Sequence, residues 1–165
     1  MIFETENLLV RRLIFDDLQG FHKLESNPKV LLYATGTVKT LPENKNELKQ
    51  LILKYNNPLN NFWIYAIIRK SDNEFVGTVA LVKDNLDDEI GYRFLEAYWG
   101  LGYGSEICKG LVTYCKEIGL KKIIGYVVDV NSASAKILKN NSFKVVNKFI
   151  SEGNKLPETK YELHL

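Results

Sequence analysis

The sequence predicts a mixed α/β (α+β) layer fold, a mostly antiparallel sheet flanked by helices, and three features carry that expectation. Helix-spaced apolar residues follow a short first strand, and β-branched and aromatic runs separated by polar turns come next. The remainder alternates helix and strand before two closing strands. A chain of 165 residues that is 45% hydrophobic fits a single domain over residues 1–165, which can bury a core without disulfide or metal support.

The elements follow in order. Leu8 to Leu13 is apolar and flanked by charge, which suits a first strand. Asp16 can cap a helix carrying Leu18, Phe21 and Leu24, which Asn27-Pro28 interrupts. Pro42 suits a helix start, with Leu48, Leu51, Ile52 and Tyr55 at helical spacing. Phe62 to Ile68 and Phe75 to Val82 form a hairpin around Ser71-Asp72-Asn73. A polar turn from Asp84 to Asp88 leads into a strand through Ile90, Tyr92 and Phe94.

A glycine-rich turn then precedes a helix beginning near Ser105, striped by Ile107, Cys108, Leu111, Val112, Cys115 and Ile118 and stopped at Gly119. Lys121 to Val128 is a strand. Asn131 can cap a short helix that ends near Asn141, and Phe143 to Ile150 and Thr159 to Leu165 close the chain.

Charge and composition exclude several classes. The net charge of +2 balances 22 basic against 20 acidic residues, unlike the one-sided basic charge of a nucleic-acid binder. No apolar run approaches the roughly 18 residues of a membrane helix, and the N-terminus lacks a signal-peptide pattern, so the expected location is cytoplasmic. Cys108 and Cys115 fall about two turns apart on one helix side, too far for a mutual disulfide, and read as small core residues. His22 and His164 lie near opposite chain ends, so no metal site is expected.

The chemistry concentrates in Trp99-Gly100-Leu101-Gly102-Tyr103-Gly104-Ser105. Alternating glycines before a helix let backbone N–H groups converge on an anion, and the helix N-terminus adds free donors and a favourable dipole. Taken alone, the glycines fit a plain flexible helix entry equally well. A P-loop is excluded because no Gly-Lys-Ser/Thr triplet follows, and a dinucleotide fingerprint would need glycine at Ser105 and an early βαβ unit.

The order of elements supplies independent support. Glu89-Ile90-Gly91-Tyr92-Arg93-Phe94 followed by Tyr98 to Glu106 resembles the coenzyme-A signature of the GNAT superfamily. Within it, the chain is similar to the branch of ribosomal-protein N-terminal acetyltransferases, where a Trp-Gly-x-Gly-Tyr-x-x-Glu string is typical. Asn131-Ser132-Ala133-Ser134, then Ile137 to Phe143, resembles the second family segment, with Ser142 in place of the usual glycine. The opening Thr5 to Leu13 resembles the branch's first strand.

The resemblance implies a single GNAT-type domain with splayed central strands, and an enzyme that moves acetyl from acetyl-CoA directly to an amine without a metal. The implied coenzyme contacts are Arg93, Phe94, Trp99, Gly100, Leu101, Gly102, Tyr103, Gly104, Ser105, Asn131 and Lys136, with Lys139 beside the last. The backbone N–H near Phe94 is the implied oxyanion donor. Leu138 stands where many members carry a tyrosine acid, so the resemblance gives that role to Ser134, which reads equally as a small first-turn helix residue. Glu89, Asp88 or a water chain is the base, and each carboxylate also reads as a solvated strand-end charge. Trp63, Tyr33 and Tyr92 are aromatic candidates for an acceptor pocket. The partners are then acetyl-CoA and an amine, on a small molecule or a protein N-terminus, with the protein a monomer or homodimer. Two alternatives stand beside this reading: a non-catalytic acyl-CoA-binding module, and a nucleotide-phosphate binder using the same turn.

Overall fold

The computed structural model describes all 165 residues. One eight-stranded sheet runs through it. The first two strands are β1 (Phe3–Glu4) and β2 (Leu8–Arg12), and three helices follow: α1 (Leu18–Glu25), α2 (Pro28–Leu31) and α3 (Leu41–Lys54). The meander is β3 (Phe62–Arg69), β4 (Glu74–Asp84) and β5 (Asp87–Phe94). Beyond it come α4 (Tyr103–Glu117), β6 (Lys122–Val128), α5 (Ser132–Asn140), β7 (Lys144–Ile150) and β8 (Pro157–His164). The sheet order is β1-β2-β3-β4-β5-β6-β8-β7, antiparallel throughout except between β5 and β6.

That parallel pair positions the site. β5 and β6 are joined by one residue pair, Glu89 with Ile124, near the start of both strands. Beyond that pair they diverge, leaving a wedge that opens toward Phe94 and Val128. The expected mixed, splayed sheet is what the chain forms.

Side-chain alternation sorts β5 onto two faces. Ile90, Tyr92 and Phe94 face α4: Tyr92 lies beside Gly104 at its start, and Phe94 packs on Tyr103 with ring centres 6.1 Å apart. Arg93, on the other face, reaches Glu25 of α1. α4 buries Ile107, Cys108, Leu111 and Cys115 and half-buries Val112, as its 3.6-residue period predicts, whereas Ile118, expected on the same stripe, falls past the last helical residue and is exposed. Each fully buried Leu or Ile there contributes about 1.5–3 kcal/mol of transfer free energy. Both cysteines are buried free thiols, pushed up to about 12 by that burial.

The turn expected over Asp84 to Asp88 shrinks to two residues, since β4 runs to Asp84 and β5 begins at Asp87, and two further local expectations are corrected. Asp17, not Asp16, organises the first helical segment: its carboxylate accepts from the Ile14 N–H at 2.8 Å and pairs with Arg11 through two 2.8 Å contacts. The difference is tertiary, because Arg11 on β2 selects its partner. The helix expected near Ser105 begins at Tyr103, since Gly102 is itself the cap residue. Ser142 takes the left-handed turn after α5 with φ +69°, at the cost expected for a side chain there.

Candidate functional site

Two helix N-termini meet the open end of the wedge. α4 begins after the loop that leaves β5, and α5 begins just past the end of β6. The helices touch at Gly104, where an added Cβ would come within 3.0 Å of the Ile137 Cδ1 atom. Gly104 therefore allows the close approach that brings both helix starts to the wedge.

The glycine turn has the geometry that anion binding needs. Gly100 and Gly102 have φ of +75° and +82°, and a Cβ at either would meet nothing within 4 Å, so the bare backbone is open to a ligand. Gly102 caps α4 with no side chain, and the first intrahelical bond runs from the Glu106 N–H to the Gly102 carbonyl at 3.1 Å. The N–H groups of Tyr103, Gly104 and Ser105 belong to the first turn, whose donors have no intrahelical acceptor. Trp99 and Leu101 are exposed at this lip, and the Trp99 indole N–H donates to the Phe94 carbonyl at 2.9 Å. The residues present fit a pyrophosphate.

On α5, Asn131 caps the helix, its side chain accepting from the Ser134 N–H at 3.3 Å. The Ser134 side chain is half-buried, and its hydroxyl has no hydrogen-bond partner in the structure. Ser134, Ile137 and Leu138 share the helix face that meets α4 and β6. Lys136 and Lys139 lie on a different face, lining a groove of about 480 Å³ with Lys148 of β7 and Ser132.

Glu89 stands at the vertex of the wedge, on the face of β5 away from α4. It makes no ion pair or hydrogen bond, and its carboxyl is pushed up to about 7, chiefly by burial and further by the negative charges of Asp84 and Glu158. Asp88, one residue earlier and on the α4 face, is engaged by Lys83 at 2.9 Å. Alternation along the strand thus separates the two candidate bases, leaving Glu89 as the free one. Asp87 is held by Lys160 at 2.6 Å and Lys122 at 2.8 Å, which bring it down to about 2.

The structure brings Phe94, Trp99 to Ser105, Asn131 and Ser134 to the open end and Glu89 to the closed end of one wedge. It does not bring Arg93 there by its side chain, which pairs with the buried Glu25 at 2.8 Å. The acceptor-pocket aromatics are dispersed. Trp63 clusters with Tyr55 and Tyr65, Tyr33 is exposed after α2, and Tyr92 lies under Gly104.

Sequence reasoning gave Glu106 only as the last residue of the motif and missed Asp84 and Tyr126. Glu106 accepts from Thr5 at 2.5 Å and from the Asn7 N–H at 2.8 Å, tying the β1–β2 turn to the start of α4. Asp84 and Tyr126 share a hydrogen bond near Glu89. Read as a turn residue and a strand residue, they gave no signal of their own.

Comparison with known proteins identifies the fold and the family. The family profile described as "Acetyltransferase (GNAT) domain" matches residues 7–144. The chain is 30% identical over 146 residues to the uncharacterized N-acetyltransferase p20 of Bacillus licheniformis, covering 85% of this chain and 80% of that protein. Among solved structures, a GNAT-family acetyltransferase from Bacillus anthracis superposes with a TM-score of 0.84 at 25% identity, covering 98% of this chain and 97% of the other. An acetyltransferase from Salmonella typhimurium that modifies the N-terminal serine of the 50S ribosomal protein L7/L12 superposes with a TM-score of 0.81. It is 18% identical, covering 98% of this chain and 96% of that one.

Proposed function

The chain belongs to the GNAT family of acetyltransferases and is an N-acetyltransferase, and on that premise we propose that it moves acetyl from acetyl-CoA directly to a primary amine, on a small molecule or a protein N-terminus. One observation carries the reading: the bare, left-handed Gly100 and Gly102 backbone lies at the open end of the same wedge whose vertex holds the unpaired Glu89.

Each residue then has a defined task. The Gly100–Ser105 backbone and the start of α4 hold the coenzyme pyrophosphate, while Asn131 lies beside the wedge to bond the pantetheine arm. Acetyl-CoA, as co-substrate, supplies the thioester. Glu89 takes the proton that the amine must lose to become a nucleophile, and the backbone N–H at Phe94 faces the oxygen on which negative charge develops. Ser134 passes its hydroxyl proton to the departing sulfur and takes up the proton that the new amide nitrogen releases, so no alkoxide remains. A base near pH 7 suits this chemistry, because a carboxyl of ordinary pKa is too weak to accept a proton from an ammonium ion.

The test is release of free coenzyme A thiol from acetyl-CoA across a panel of amines and N-terminal peptides. Saturable turnover with at least one acceptor supports the reading. Binding of ATP in place of coenzyme A in titration calorimetry would overturn it.

A further inference from the structure

The Tyr126 phenol, on β6, donates to the Asp84 carboxylate, on β4, at 2.6 Å, and β5 lies between those strands in the sheet. Tyr126 and Glu89 are on one sheet face, since Ile124, two residues before Tyr126, is the residue opposite Glu89. The phenol–carboxylate bond therefore runs over the strand that carries Glu89. The ring itself is braced: Phe149 of β7 meets it edge-on with centres 5.9 Å apart, and the Lys160 ammonium is 5.9 Å from its centre.

We propose that Asp84 and Tyr126 are positioning residues for the base: the phenol fixes the Asp84 carboxylate beside Glu89, and that fixed negative charge makes Glu89 a stronger proton acceptor. The inference rests on the reading of Glu89 as the base for its catalytic meaning, but the electrostatic relationship stands by itself.

The surrounding charges make Asp84 the residue to vary. From β5, Asp87 is neutralised by Lys122 and Lys160. From β6 and β8, Lys122 also pairs with Glu162 at 3.4 Å. Glu158 of β8 contributes a second negative charge, and Lys83 of β4 is turned to Asp88. Asp84 is the one carboxylate of this group held only by neutral donors, the Tyr126 hydroxyl on one oxygen and the Asn85 side-chain amide at 3.1 Å on the other, so its charge remains uncompensated and acts on Glu89. Tyr126 thus satisfies Asp84 without cancelling it, which a lysine would do.

The experiment is a ¹³C NMR titration of the Glu89 side-chain carboxyl, assigned by its loss in Glu89→Gln, in the full chain with and without coenzyme A. Asp84→Asn keeps an acceptor for the phenol and removes only the charge, and it should lower the Glu89 midpoint by about half a pH unit or more. Tyr126→Phe keeps the ring and leaves the carboxylate held only by the Asn85 amide, which should lower the midpoint by less. In the Asp84→Asn background it should have no further effect. A midpoint unchanged by Asp84→Asn overturns the proposal, and one unchanged by Tyr126→Phe removes Tyr126 from it. Full turnover by Glu89→Gln would instead refute Glu89 as the base while leaving the titration result intact.

Discussion

The Trp99 indole N–H donates to the carbonyl oxygen of Phe94 at 2.9 Å, closing the short loop between the end of β5 and the glycine turn. This bond fixes where the backbone of the turn stands relative to the strand that forms one wall of the wedge. It also explains a tryptophan at an exposed position, since the ring serves the loop rather than the core.

Trp99→Phe should therefore weaken coenzyme A binding several-fold while leaving the melting temperature nearly unchanged. The lost bond is worth about 1 kcal/mol, and it orders the turn rather than the sheet. Titration calorimetry with coenzyme A, paired with a thermal melt, reads both outcomes.

Gly102→Asp introduces a side chain at φ +82° and a carboxylate into the anion cradle. Coenzyme A affinity should fall by more than about tenfold, from charge repulsion added to a left-handed strain of about 1 kcal/mol. Gly102→Ala separates the two contributions, because it retains the strain and lacks the charge. An aspartate variant that is folded and binds like the wild type would remove the turn from the phosphate site.

Glu89→Gln should lower kcat by about a hundredfold or more, as expected for loss of a general base. In the wild type, kcat/KM should rise with pH through about 7 as the carboxyl ionises. Stability runs the opposite way. The folded-state pKa lies above the unfolded one, so the folded chain binds the extra proton between roughly pH 4.5 and 7 and loses stability as pH rises through that window. Glutamine abolishes this loss, so the variant should melt a few degrees higher than the wild type at pH 8 and about the same at pH 4. The gain is limited to about 1–2 kcal/mol once solvent screening of a half-buried group is allowed for.

Ser134→Ala should lower kcat by about tenfold or more with little change in the KM for acetyl-CoA, because the hydroxyl acts on the leaving sulfur rather than on binding. Its backbone N–H still meets the Asn131 cap, so the helix should be undisturbed. An unchanged kcat at saturating acceptor would assign the leaving-group proton to another source.

Much of this site was legible because its signals are local. Gly100, Gly102 and the cap at Asn131 act within a few residues of themselves, and their sequence environment states their conformation. The left-handed Ser142 follows in the same way from its place just past a helix end. The relationships that escaped are those between distant segments. Glu106 meets Asn7 across 99 positions, and Tyr126 meets Asp84 across 42. Which residues oppose one another is decided by strand order and register. Nothing in the composition of the Asp84 turn indicates that β6 will lie one strand beyond it. Arg93 shows the same limit, since alternation turns it to the far face and onto Glu25.

The single pairing of Glu89 with Ile124 also bears on how the molecule opens. From β1 to β5 each strand pairs with its sequence neighbour, whereas β6 finds its partner in β8, with β7 outermost. The sheet thus consists of two hydrogen-bonded blocks joined by one bridged residue pair, with α4 touching β5 of the first block and α5 beside the second. Such a seam favours two cooperative units of unequal stability, and amide exchange should resolve them, with slower exchange in the β3–β5 block. A ligand lodged between β5 and β6 touches both blocks, so it acts as a cross-brace. At a hundred times its dissociation constant it would add about 2.7 kcal/mol against any opening that separates them.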